Sequence, residues 1–155
     1  MPEGKHIVKS FNLDHTKVKA PFIRLADLIV APSGNDVITK LDIRFVQPNQ
    51  EPFLDNPSLH TLEHLLSTYL REGGKYNIID FSPMGCQTGF YLILFDKIDL
   101  NEFKEYLFLS LKKVLKSDNI PGDTEIECGN YKSHSLDGAK KWAKQFLDGD
   151  VKLLQ

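Results

Sequence analysis

The chain has 155 residues, 41% of them hydrophobic and 26% charged, with a formal net charge of -2 at pH 7. A chain this long buries roughly two thirds of the surface it exposes when unfolded, so it can build one core without disulfide staples, and residues 1–155 are expected to form a single domain. The small net charge gives no field for nucleic acid or an anionic membrane, no apolar stretch approaches the length of a membrane span, and residues 1–11 carry no apolar signal core, so export is not expected.

Residues 20–31 are apolar enough for a strand. Residues 37–46 alternate: Val37, Thr39, Leu41, Ile43 and Phe45 share one face, and Lys40, Asp42 and Arg44 crowd the other. That polar row either faces solvent or lines a site. A helix follows. Asn56 can cap it, Pro57 suits its first position, Leu59, Leu62, Leu66 and Tyr69 recur at helical spacing, and Gly73-Gly74 ends it. Residues 78–81 read as a short buried strand, residues 82–89 (SPMGCQTG) as a loop, and residues 90–95 as a central strand. Asp99 and Glu102 have capping spacing at the head of a helix running to about Lys116, with an apolar stripe of Leu100, Phe103, Leu107, Leu111 and Val114. Pro121-Gly122 breaks the chain, and a last helix spans 136–146 behind Ser135. Strands and helices mix without a regular βαβ repeat, and no glycine-rich phosphate loop follows a strand. The expected class is α+β, a compact sandwich of a mostly antiparallel sheet packed with helices.

Chemistry concentrates in the first helix. His60 and His64 are four residues apart, so both imidazoles leave one face and can chelate one divalent ion. Glu63 stands beside them and can shuttle protons for a group held there. Two polar residues on a solvated helix face would give the same letters, but Leu59, Leu62, Leu65 and Leu66 imply a well-buried helix, and buried histidines need partners. A catalytic centre generally has three protein ligands and an open position. Cys128 is the attractive third ligand, although an isolated cysteine is more often an inert core residue, and His6, His15 and His134 remain open as candidates. A His2Cys set suits zinc, iron(II) or cobalt(II). Cys86 lies in a loop with glycines on both sides, where a ligand can approach closely. It is either a nucleophile or base assisted by a nearby cation, or a small residue at a strand end.

These segments form a set. LDHT at 13–16, APFIR at 20–24, KLDIRF at 40–45, HTLEHLL at 60–66, residues 80–89 and Cys128-Gly129, in this order, closely resemble the S-ribosylhomocysteine lyases, the LuxS family of bacteria. The helix motif alone is weak, since H-x-x-E-H also marks inverted zinc peptidases. Joined to SPMGCQTG and a late Cys-Gly it is specific. The resemblance implies a cytoplasmic homodimer with two sites at the subunit interface, each using residues of both subunits. It implies iron(II), replaceable by zinc or cobalt, on His60, His64 and Cys128 with water completing the set. Cys86 and Glu63 would be the catalytic pair, and Ser10, His15, Arg44 and Asp80 the substrate contacts. The reaction would shift a sugar carbonyl and then eliminate homocysteine, leaving 4,5-dihydroxy-2,3-pentanedione, the precursor of the quorum-sensing signal autoinducer-2. The alternatives are a small zinc metallopeptidase, in which Glu63 would activate water, and a non-catalytic metal-binding protein.

Overall fold

The computed structural model describes residues 6–155. A 3-10 turn, Lys9–Asn12, precedes strands β1 (Phe22–Val30) and β2 (Val37–Arg44). Helix α1 (Asn56–Glu72) leads to strands β3 (Ile78–Pro83) and β4 (Gly89–Phe95). Helices α2 (Leu100–Leu115) and α3 (Leu136–Asp148) and a short strand β5 (Lys152–Leu154) complete the order. The five strands form one sheet in the order β3-β4-β2-β1-β5. Every pairing is antiparallel except β1 with β5, which is parallel. The fold is α+β, as the mixed pattern predicts.

Pleat and register divide the sheet into two faces with different work. Ile23 pairs with Ile43 and Ile43 with Phe90, while Leu41 pairs with Leu92 and Leu92 with Phe81. All six are buried in one apolar cluster with Leu62, Leu66 and Leu70 of α1, Phe103, Leu107 and Leu111 of α2, and Trp142 and Phe146 of α3. The helices therefore cover this face, and burial of these side chains drives the packing. The opposite face carries the polar row: Arg24 pairs with Asp42, Asp42 with Tyr91, and Tyr91 with Ser82.

Element boundaries shift slightly from the sequence reading. Asp55, not Asn56, caps α1: its carboxylate accepts from Ser58 N–H at 3.2 Å, while Asn56 is the first helical residue and Pro57 the second. β3 extends through Ser82 and Pro83 because both pair with β4. β5 has no counterpart in the sequence reading. Gly89, opposite Arg44, is sterically required, since a Cβ there would lie 2.4 Å from Ile43 O and 2.9 Å from Arg44 Cα.

Candidate metal centre and the polar cluster of the open sheet face

Helix α1 buries Leu59, Leu62, Leu65 and Leu66 and turns His60, Glu63 and His64 toward the irregular segment between α2 and α3. That segment supplies Cys128, whose Sγ lies 3.4 Å from His60 Nε2 and 3.9 Å from His64 Nε2. The third expected ligand thus joins the first two. His134 joins as well, its Nε2 being 3.9 Å from Cys128 Sγ. The ligand atoms of all four residues lie within 4.8 Å of one another. Sequence reasoning left His134 level with His6 and His15. Its position directly before the Ser135 cap of α3, which packs on α1, is the signal that could have favoured it.

The donors fit a divalent cation. His60 Nδ1 donates to Ser133 O and His64 Nδ1 donates to Pro121 O, each at 2.7 Å, because a carbonyl can only accept. The proton is therefore on Nδ1 in both rings, and each Nε2 lone pair points at Cys128, the arrangement that second-sphere carbonyls impose on metal-binding histidines. Among the ionisable groups here, burial holds the Glu63 carboxyl above its ordinary value despite the opposing charges of His64 and His60, with Asp80 adding to the rise. Burial also lowers His134, and the neighbouring His60 and His64 act in the same direction. The centre gathers three imidazoles and a thiol beside a carboxyl that takes a proton more readily than an ordinary one.

Arg44 and Cys86 gather at the polar cluster of the open sheet face, and Ser10 lies beside it. Asp42 is fully buried and accepts from two arginines: Arg44 Nη2 at 2.7 Å and Nε at 3.0 Å, and Arg24 Nη2 at 3.0 Å and Nε at 3.1 Å. Arg44, only 1% exposed, also donates from Nη1 to Thr88 Oγ1 at 3.1 Å, and Thr88 Oγ1 lies 3.0 Å from Cys86 Sγ. Burial alone would lower Arg44, but its bonds to Asp42 and the charges of Asp42 and Cys86 hold it above its ordinary value. A permanent cation thus stands one hydroxyl behind an exposed thiol. Ser10 lines a hollow on this face with Val8, Lys9, Asp27, Lys40 and Tyr91. His15 is half-buried, with Nδ1 2.8 Å from Leu13 O. Asp80 is exposed on β3 and accepts from Ser82 Oγ.

Glu63 is coupled by charge to His60, His64 and Asp80 of β3, and Arg44 to Asp42, Cys86 and Tyr91. Among the described residues no hydrogen bond joins Cys86 to His60, His64, Cys128 or His134.

The model of the family S-Ribosylhomocysteinase (LuxS) matches residues 8–155. A protein named S-ribosylhomocysteine lyase from Clostridioides difficile (strain 630) is 55% identical over 141 residues, 91% of this chain and 91% of that one. One of the same name from Clostridium perfringens (strain SM101 / Type A) is 50% identical over 144 residues, 93% of each chain. Another from Helicobacter pylori (strain P12) is 49% identical over 148 residues, covering 96% of this chain and 94% of the relative.

Proposed function

The chain belongs to the S-ribosylhomocysteinase (LuxS) family, and we propose that it is a single-domain lyase that cleaves S-ribosylhomocysteine into homocysteine and 4,5-dihydroxy-2,3-pentanedione. The observation that carries this reading is the convergence of His60 Nε2, His64 Nε2 and Cys128 Sγ beside a Glu63 carboxyl raised by burial. A peptidase or a passive metal store would need no thiol like Cys86 backed by Arg44 and Thr88.

The substrate, a ribose joined through sulfur to homocysteine, cannot lose its thiolate directly, because no carbonyl acidifies the neighbouring C–H. Moving the carbonyl from C1 to C2 and then to C3 supplies that acidity, each shift passing through an enediolate. Iron(II) held by His60, His64 and Cys128, or zinc or cobalt in its place, would supply Lewis acidity at the sugar oxygens. Cys86 Sγ takes a proton from one carbon and returns it to the next. The Glu63 carboxyl moves protons between sugar oxygens and, with the carbonyl at C3, removes the C4 proton as the sulfur of homocysteine leaves. Arg44, Ser10, His15 and Asp80 bind and orient the substrate's polar groups. The proton count closes without an organic cofactor.

Cys86 lies in the cluster of the open sheet face and Glu63 beside the metal ligands, so one complete site takes residues from two copies of the chain. Exposed Ile7, Val8 and Phe11 beside the Ser10 hollow support a second copy there, since apolar fringes around a polar pocket mark contact surfaces. Both cysteines are free, which supports a reducing, cytoplasmic setting, and no helix among the described residues is long and apolar enough to cross a membrane. The product would serve homocysteine recycling and, as autoinducer-2 precursor, signalling.

The test is release of free thiol from S-ribosylhomocysteine under anaerobic conditions by the iron(II)-loaded protein and by its Cys86→Ala variant. Release by the parent and none by the variant supports both the reaction and the role of Cys86. No release by a parent with full metal overturns the reading.

A further inference from the structure

The three imidazoles around Cys128 are not held alike. His60 and His64 each give an Nδ1 proton to a backbone carbonyl, which leaves Nε2 bare. His134 Nδ1 instead meets Thr61 Oγ1 at 2.9 Å. That hydroxyl already accepts Ser135 N–H at 2.9 Å, and its oxygen is buried within α1. Among the described residues His134 Nδ1 is the one acceptor within hydrogen-bond reach of the Thr61 hydroxyl proton. Once Nδ1 accepts that proton, the ring's own proton must sit on Nε2, and an Nε2 that carries a proton has no lone pair for a cation.

Ring geometry agrees. His134 lies flat on His60, centroids 3.9 Å apart and planes 22° from parallel. Two imidazoles bound through Nε2 to one tetrahedral ion diverge, placing their centroids about 5 Å apart. His60 and His64, edge to face at 4.7 Å, are close to that. His134 and His64, at 4.8 Å, are compatible with either arrangement, so the stacked pair decides.

We propose that His134 is not a fourth ligand but a positioning residue: Thr61 fixes its tautomer so that Nε2–H donates to the Cys128 thiolate. The distance, 3.9 Å to sulfur, is within reach of an N–H···S bond, and Asn130 N–H donates to the same sulfur from 3.4 Å. Two N–H donors draw charge from the thiolate, weaken its donation to a cation and leave that cation more electrophilic. The fourth position then stays open for substrate rather than closing on a third histidine. This inference rests on the reading of His60, His64 and Cys128 as a metal site.

Two measurements test it. In the zinc-loaded protein with 15N-labelled histidine, His60 and His64 should show Nδ1–H with a metallated Nε2, and His134 should show Nε2–H. An Nδ1–H signal for His134 overturns the proposal. In the cobalt(II)-loaded protein, His134→Leu should retain one cobalt per chain, because His60, His64 and Cys128 are all still present. Its thiolate-to-cobalt charge-transfer band should move to longer wavelength. His134→Gln, whose amide N–H can reach the sulfur, should restore the band position. Loss of cobalt from both variants as complete as in Cys128→Ala would make His134 a ligand and overturn the proposal, as would an unmoved band in His134→Leu. A parent that binds no cobalt through thiolate would instead overturn the metal site itself.

Discussion

Asp42 is one carboxylate shared by two guanidiniums, and the imbalance is informative. With Arg24 and Arg44 both bonded to it, the buried cluster keeps a net positive charge, directed through Thr88 toward Cys86. Removing one partner of a buried ion pair strands the other, at a cost of about 3–5 kcal/mol. Asp42→Asn should therefore lower unfolding stability by about that much in urea titration; a change under about 1 kcal/mol would mean that the cluster is well hydrated. The two cysteines have different proposed roles. Cys86→Ala should keep the metal and lose thiol release, whereas Cys128→Ala should lose the metal, both read by metal analysis beside the turnover assay. Alternation over residues 37–46 made the Lys40, Asp42, Arg44 row legible from sequence. It left the choice between solvent and site open, because Arg44 is buried by Phe22 and Thr88, which come from separate parts of the chain. The placement of His60 and His64 together on one face of a helix was legible from spacing alone. The carbonyls of Pro121 and Ser133 that fix their tautomers were not, since they belong to a segment without periodicity.

The centre depends on how α1 meets α3. Asp55 joins them, accepting from Ser58 N–H at the head of α1 and from Trp142 Nε1 of α3 at 3.1 Å. Loss of an N-cap costs about 1 kcal/mol, up to about 2 in the strongest cases, so Asp55→Ala should destabilise by about 1–2 kcal/mol. Burial alone would raise the Asp55 carboxyl, but the bonds from Ser58 and Trp142 hold it below 3.8, the ordinary value. Because the folded form binds its proton less readily than the unfolded form, this contribution is complete above about pH 4 and is lost as pH falls through the folded value. Asp55→Asn keeps a capping oxygen and should remove that part of the acid sensitivity; equal acid profiles for parent and variant would show that the cap carbonyl and carboxylate are equivalent here. Gly138 marks the closest approach, since a Cβ there would stand 1.9 Å from Ser58 Oγ and 2.9 Å from Ser135 Oγ. Gly138→Ala should push α3 away from α1, costing about 1–3 kcal/mol by overpacking and weakening cobalt binding by displacing the segment that holds His134. Retained stability and affinity would mean that the Ser58 side chain simply turns aside. The helices themselves were legible from capping letters and apolar spacing. The cap was misplaced by one residue because Asp55-Asn56-Pro57-Ser58 offers two capping side chains, and only the reach of Asp55 to Ser58 distinguishes them. β5 was missed because three residues carry no period, and their strand exists only by pairing with Phe22, Ile23 and Arg24.

At the scale of the whole molecule, the sheet has two unlike faces. One face is sealed by the helices, of which α1 carries His60, Glu63 and His64, and the other holds the buried Arg44–Asp42 pair and Tyr91. Under the proposed function each site would take its ligands from one subunit and Cys86 from the other, and a two-fold axis would make two such sites equivalent. Mixing two dead variants tests this arrangement directly. If Cys86→Ala and Cys128→Ala chains are unfolded together and refolded, about half of the dimers are mixed, and each mixed dimer has one site with both defects and one with neither. Thiol release should then return to about a quarter of the parent's rate per chain, and the mixture should bind about half the metal. Were Cys86 and the ligands of a site to come from the same chain, every site would carry a defect and the mixture would stay inactive, although its metal content would be the same. Metal content therefore serves as the control for correct refolding, and the recovered rate alone reports whether the site is shared.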